Sequence, residues 1–501
     1  MKPRLQPFAS PPLRLALLAA LSGGAAADDA SIQIAPVTVT GSRVEAQSFE
    51  LPYSVDVVDS RQIGEGQLKV NASEALAAVP GITVLNRQNY AQDLQISSRG
   101  FGARSAFGVR GVKLIADGIP ASNPDGQGQA ATFNLDTAER MEILRGPFAS
   151  VYGNHAGGVI QLFSRDGTGA PRVSAGLTGG SWGTRKLDLG AEGASGPLGY
   201  VLDASRFETD GYRQHSAATR DQAFAKLTWQ PDADSRLRLT ASSLHQGDTQ
   251  DPLGVTWGTF ERDPRAVEAV AETFNTRKSI DHLQGGITYE RRFGAHQLEL
   301  RAYSGTRSVT QYQSIPTGPQ LNPRHAGGVV DFDREFHGAG ARWSWTRPAA
   351  GGEATLTAGV DYDFARDDRR GYQNFVGASL GVKGALHRDE DDGVMSFDQY
   401  AQAQWKGGAW LLGAGLRHSS VRFKVEDHYV VAGNGNDSGR VQYGKTTPSV
   451  GASYQLTPST NLYASAATGF ETPTFNELAY SSGGGSFAPA LVSRIPSTTN
   501  G

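Results

Sequence analysis

The side chains most ready to do chemistry at neutral pH are spaced in ways that argue against an enzyme. His215, His245, His282, His296, His325, His337, His418 and His428 are scattered without metal-ligand spacing. The run Asp389-Glu-Asp-Asp392 lacks the alternating ligands and glycine of a calcium loop, so a solvated loop is the simpler reading. Gly100-Phe-Gly102 is followed by no helix and sits in no strand-helix-strand unit, which excludes a dinucleotide loop. Cysteine is absent, so disulfides, thiolate metal sites and cysteine nucleophiles are all excluded. No serine, histidine and carboxylate form a defensible triad, and neither catalysis nor a bound cofactor or metal is expected. The 47 Lys plus Arg nearly balance 50 Asp plus Glu, so bulk charge does not suit nucleic acid. Recognition of a charged ligand must come from local clusters.

The elements that would hold such clusters are β-strands. With 62 glycines and 16 tyrosines, the composition favours tight turns and strands, and 501 residues call for more than one unit. From about Pro171 onward, apolar and polar residues alternate with period two. Leu237, Leu239 and Ala241 alternate with Arg236, Arg238, Thr240 and Ser242, while Leu356, Ala358, Val360 and Tyr362 face away from Thr355, Thr357, Asp361 and Asp363. Ala401, Ala403 and Trp405 are set against Gln402 and Gln404 in the same way. A lipid-facing exterior and a watery lumen require this pattern, although a soluble sandwich also alternates. Trp182, Tyr200, Trp229, Tyr289, Trp343, Trp405, Trp410 and Tyr463 fall near segment ends, where interfacial girdles sit. Four polar stretches are too long for hairpins and are expected to be external loops: Gln246 to Arg277, Gln311 to Val329, Asp367 to Asp392 and Glu426 to Lys445.

The N-terminus places the chain in the export route. Lys2, Arg4 and Arg14 precede the apolar run Leu15 to Leu21 and a small-residue stretch ending at Ala27, the layout of a signal peptide cleaved there. Residues 28–50 are polar apart from Pro36-Val-Thr-Val-Thr-Gly41, a short β-prone run able to add to a partner's sheet edge. Residues 51–167 carry short β segments tied by glycine turns and no long apolar run, which suits a compact domain wedged inside something larger.

Four elements of that block, Ile96-Ser-Ser-Arg-Gly100, Leu114-Ile-Ala-Asp-Gly-Ile-Pro120, Ile143-Leu-Arg-Gly-Pro147 and Tyr152-Gly-Asn-His-Ala-Gly-Gly158, closely resemble the plug domain of TonB-dependent outer-membrane receptors. The resemblance implies a mostly β protein: an N-terminal α+β plug at 51–167 inside a transmembrane antiparallel β-barrel at 168–501. Barrels of the family have 22 strands, whereas the residues after the plug provide about 14 at roughly 24 residues each. A C-terminally truncated barrel, lacking its closing strands, is therefore expected, with a non-functional product as one consequence. By the same resemblance, Val37, Thr38, Val39 and Thr40 form the TonB box offered to TonB and its ExbB/ExbD energy-transducing partners. The receptor is expected in outer-membrane lipid as a monomer.

Longer strings narrow the resemblance within the family. Asn86 to Gln95, Pro124-Asp-Gly-Gln-Gly-Gln129, Thr310 to Pro316, Gln320-Leu-Asn-Pro323, His325 to Val329, Gly469-Phe-Glu-Thr-Pro-Thr474 and Asn476-Glu-Leu478 are similar to receptors that take up pyrroloquinoline quinone, a flat tricarboxylate; a ferric siderophore is the alternative ligand. Such a ligand asks for Arg or Lys on carboxylates, aromatic rings for stacking and amides for the quinone oxygens. The implied ligand set is Arg87, Gln88, Asn89 and Tyr90, then Asn123, Asp125 and Gln127 on the plug, with Tyr312, Gln313, Arg324, His325, Arg370 and Tyr372 on external loops. Plug arginines Arg99 and Arg145 are expected to lock the plug to acidic wall partners, with Glu142 and Glu471 as candidates.

Overall fold

The computed structural model describes residues 38–39, 46–85, 88–103, 105, 108–145 and 151–479. The expected signal peptide, Val37, Thr40, Arg87 and the polar C-terminal end lie outside the described residues.

A five-stranded sheet organises the N-terminal block. Its strands are β1 (Ser54–Asp59), β2 (Val112–Ala116), β3 (Ile119–Pro120), β4 (Ala138–Arg145) and β5 (Gly158–Ser164), in spatial order β1-β4-β5-β2-β3. Only β5 and β2 run parallel. Ile63, Leu76, Ile96, Leu114, Phe133, Met141, Ile143 and Ile160 are almost fully buried in one cluster against the sheet. That cluster gives the block a core of its own, driven by removal of apolar surface from water. The chain enters β5 at Gly158 with φ of +133°, where a Cβ would overlap the Leu144 carbonyl oxygen, so only glycine suits the start of this strand.

Thirteen antiparallel strands follow, each paired to the next. They are β6 (Arg172–Gly179), β7 (Arg185–Ser195), β8 (Leu198–Thr209), β9 (Ala218–Trp229), β10 (Ser235–Gln250), β11 (Arg277–Phe293) and β12 (His296–Tyr312). The remainder are β13 (Val329–Ala349), β14 (Gly352–Tyr372), β15 (Leu386–Gly407), β16 (Trp410–Asp427), β17 (Gly439–Thr457) and β18 (Thr460–Ala467). Among the described residues, β6 and β18 are not paired to each other, so this sheet is an unclosed wall. No described helix is long and apolar enough to cross a membrane.

The burial pattern of the wall is inverted relative to a soluble sheet. On β14, Leu356 and Val360 are about 40% exposed, at 41% and 40%, while Asp361 and Asp363 are buried at 2% and 5%. The apolar face points out and the polar face points to the plug, as a lipid-embedded wall requires. Wall positions from Lys186 on β7 to Arg417 on β16 touch the plug, so the sheet wraps around it.

The external connections are shorter than the sequence suggests: residues 251–276, 313–328, 373–385 and 428–438. The predicted loop Asp367 to Asp392 loses both its ends to β14 and β15. Charge had marked those ends as loop, but Arg366 pairs with Asp391 at 2.7 Å and Arg334 with Asp367 at 2.6 Å. Complementary cross-strand charges let the ladder continue beyond the lipid-facing band.

Candidate functional site

On the plug, the loop carrying Gln88, Asn89 and Tyr90 meets the wall near the external ends of β8 and β10. Asn89 donates its amide to Asp251 at 2.7 Å, and Gln92 donates to the other oxygen of the same carboxylate. The Tyr90 ring packs on Phe207 with centroids 4.9 Å apart, and its carbonyl accepts from Gln246 at 2.7 Å. Gln88 is exposed with a positive φ of 48°. The second loop is a tight turn: Asn123 N–H donates to the Gln127 carbonyl at 2.7 Å, and Gln127 N–H donates to Asp125 Oδ1 at 3.1 Å. Asp125 is buried, and burial raises its carboxyl above the ordinary range despite the opposing charge of Arg334. Its Oδ1 is thus engaged by the backbone of the turn.

The predicted wall residues divide by face. Arg301 donates to the plug carbonyl of Gly118 and Arg307 to Gln129, so odd-numbered positions of β12 face inward. Tyr312 has the opposite parity and stands on the outer face with Arg277 lying 3.6 Å over its ring. On β14, Asp361, Asp363 and Asp367 are inward and buried, which puts Arg370 and Tyr372 on the outer face as well. Arg370 sits there with Asp368 at 2.8 Å and Asp389 at 3.5 Å, and Lys383 covers the Tyr372 ring at 4.2 Å. These three expected ligand contacts are therefore corrected: they belong to strands, not loops, and point away from the lumen.

Gln313, Arg324 and His325 do lie on the external connection 313–328. Gln313 N–H donates to the Gly328 carbonyl at 2.9 Å, and exposed Arg324 donates to the Gly433 carbonyl at 2.9 Å, tying two connections together. His325 Nδ1 accepts from Gly327 N–H at 3.0 Å; partial burial, then His387 and Arg388, hold its pKa below the usual value.

The lumen-facing charges missed from sequence are the neighbours of those first chosen. Arg334 grips Asp367 through two contacts of 2.6 Å. Arg388 lies 3.2 Å from Glu390 and Arg369 lies 3.7 Å from Asp392, all on the inner face. Strand register held the signal, because Arg369 shares the parity of Asp361 and Arg370 does not; a slip of one residue changes the face. The three guanidiniums and their acids form a ladder in which a ligand carboxylate could replace a protein one.

The plug is fixed mostly by the opposite polarity to that expected. Lys186 pairs with Asp136 at 2.7 Å and Lys226 lies 3.4 Å from Asp117, all four side chains no more than 4% exposed. Lys278 pairs with Asp93 at 3.0 Å, and Lys406 with Glu50 at 2.6 Å. In each pair the wall supplies the cation and the N-terminal block the carboxylate. Of the four expected lock residues, Arg145 pairs with Asp56 inside the plug and donates to Ser54 Oγ at 2.9 Å. Glu142 is fully buried and accepts from Arg140 at 2.9 Å, again within the plug. Arg99 is exposed and in no ion pair among the described residues. Glu471 alone bridges, accepting from the plug's Ala156 N–H at 3.3 Å. The motif arginines were misassigned because plug acids in ordinary turns, such as Asp117 and Asp136, carry no motif.

Of the expected TonB box, Thr38 and Val39 form a two-residue antiparallel ladder with Ala46 and Gln47, an extended conformation open to edge pairing.

A stopper with its own core, held by ion pairs inside a wall with an apolar exterior, defines a plugged outer-membrane receptor as the class. The comparisons agree. A family description for the plug domain of TonB-dependent receptors matches residues 47–159, and one for the TonB-dependent receptor-like β-barrel matches residues 229–500. The chain belongs to the TonB-dependent receptor family. The rhizobactin receptor of Rhizobium meliloti is 25% identical over 89% of this chain and 64% of its own length. A hemin receptor of Yersinia enterocolitica is 25% identical over 73% of the chain and 58% of its own, and the vitamin B12 transporter BtuB of Photobacterium profundum 24% identical over 90% and 64%. The chain thus spans under two thirds of these relatives. Among solved structures, the unliganded ferric citrate transporter FecA superposes with a TM-score of 0.71 at 19% identity, covering 88% of this chain and 66% of that one. The ferric yersiniabactin receptor FyuA of Yersinia pestis gives 0.66 at 16%, covering 84% and 65%.

Proposed function

We propose that this chain acts in TonB-dependent import of a small carboxylate-bearing ligand across the outer membrane, with pyrroloquinoline quinone as the ligand. The observation that carries the reading is the inward ladder of Arg334, Arg369 and Arg388 on the same wall that clamps the plug through buried lysine–aspartate pairs. Three guanidiniums suit a ligand with three carboxylates, since bidentate arginine contacts add both strength and geometry. The ligand enters past the connections bearing Arg324 and His325, and TonB, driven by ExbB and ExbD, pulls on the arm at Val37 to Thr40. Lipid surrounds the apolar outer face, the receptor works as a monomer, and no catalysis or nucleic acid is involved.

A ferric siderophore is the second reading, favoured by the relative named as a rhizobactin receptor. Calorimetry of the detergent-refolded full-length receptor decides between them: heat with pyrroloquinoline quinone and none with a ferric siderophore supports the first, and the reverse result replaces it.

A further inference from the structure

Beyond β18, the chain turns inward and lies on the plug as a strap, residues 468–479. It carries the motif Gly469-Phe-Glu-Thr-Pro-Thr474. Its rear half is set in the wall: Leu478 is 1% exposed in a cluster with Val421, Phe423 and Val425, and Phe475 meets Phe423 edge-on at 5.1 Å. The strap also holds the plug. Arg110 pairs with Glu477 and donates to the Thr472 carbonyl at 3.1 Å. A Cβ on Gly469 would lie 2.8 Å from that of Ala156, so only glycine permits this approach.

The buried Asn154 side chain joins this strap to the external turn. The Asn154 amide donates to Thr472 Oγ1 at 2.7 Å and to the Pro124 carbonyl at 3.1 Å, while its Oδ1 accepts from Thr472 N–H at 2.7 Å. Asn154 is 7% exposed, and its backbone oxygen lies 3.2 Å from where a Cβ on Gly126 would stand. We propose that Asn154 is a positioning residue that couples the plug turn Asn123–Gln127 to the strap, so that occupancy of the turn changes the plug's hold on the wall. The amide is saturated by groups from both sides, and beside it the Asp125 carboxylate of the turn faces the Phe475 backbone N–H of the strap. Removing it strands the Thr472 N–H and the Pro124 carbonyl in a buried site, which costs more than the bond itself contributed. Apart from the Thr468 N–H, which donates to the Pro448 carbonyl at 3.1 Å, the strap has little ladder bonding to resist opening.

Hydrogen exchange on the full chain in detergent, without ligand, tests the coupling. Asn154→Ala should speed exchange about tenfold in both 123–127 and 468–479. Thr472→Val, whose side chain makes no hydrogen bond to the turn, should still loosen 123–127 by a similar factor while the five-stranded plug sheet keeps its protection. It also decides the matter if the Asn154 variant fails to fold. Exchange that rises in the strap alone with Thr472→Val overturns the coupling. A second arm rests on the uptake reading: saturating pyrroloquinoline quinone should alter protection in both segments of the parent and only in the turn of Thr472→Val. Absence of any binding heat refutes the ligand assignment, while the ligand-free arm still decides the coupling.

Discussion

At the scale of single residues, charges that hold the plug stand apart from the inner-face arginines to which the ligand is proposed to bind. Lys186 and Asp136 are both nearly inaccessible, and Lys69 also reaches Asp136 at 2.7 Å. Removing Lys186 leaves the buried Asp136 with only the less buried Lys69 as partner, so Lys186→Ala should lower resistance to urea by up to about 3 kcal/mol, measured by plug fluorescence or exchange in detergent. Replacing both by well-packed apolar residues should recover most of that loss, because the pair's desolvation cost disappears along with its attraction. The ligand ladder makes a sharper contrast between neighbours. Arg369 faces the lumen and Arg370 the outer face, so Arg369→Ala should weaken pyrroloquinoline quinone binding by roughly 1.5–3 kcal/mol, as expected for a charged hydrogen bond, and Arg370→Ala should leave it unchanged. Equal losses in calorimetry would mean that strand parity does not define the site.

Among elements, the plug and the wall were legible in the sequence to different depths. Alternation of the kind seen at Leu356, Ala358 and Val360 is set by the pleat, so the wall and its inside-out polarity could be read directly. The ends of β14 and β15 could not, because Arg366, Asp367, Asp368 and Arg369 resemble a solvated loop until their cross-strand partners are known. The same ignorance of pairing turned Tyr312, Arg370 and Tyr372 to the wrong side. The plug's clasp was hidden for another reason: contacts such as Lys226 to Asp117 join residues far apart in sequence, and nothing local marks them. One sharp point of close approach between the two elements is Gly286 on β11, where a Cβ would overlap Ile119 Cδ1. Gly286→Ala should therefore destabilise plug docking by about 1–3 kcal/mol through overpacking, and Ile119→Val should restore much of it. Thermal unfolding of the single and double variants measures the compensation. Loss of stability that Ile119→Val fails to relieve would show that the collision is not the cause.

For the whole molecule, the question is how an external event reaches a partner on the other side of the membrane. In the proposed import the route has three stages: a ligand among lumen arginines, a plug pinned by wall lysines, and an arm whose Thr38 and Val39 are already extended. The lysine pins make the plug a single body that can only be displaced by work, since each buried pair must be separated in a medium of low polarity. In the proposed import, binding by itself supplies only its differential affinity for the two plug states, too little to break several such pairs at once, so force on the arm is proposed to complete the displacement. Deleting residues 37–40 should accordingly leave pyrroloquinoline quinone binding within twofold of the parent and abolish its accumulation in energised cells carrying the full-length receptor. A matching loss of binding would make the arm a structural part of the site, and undiminished uptake would mean that the solute passes the plug without being pulled.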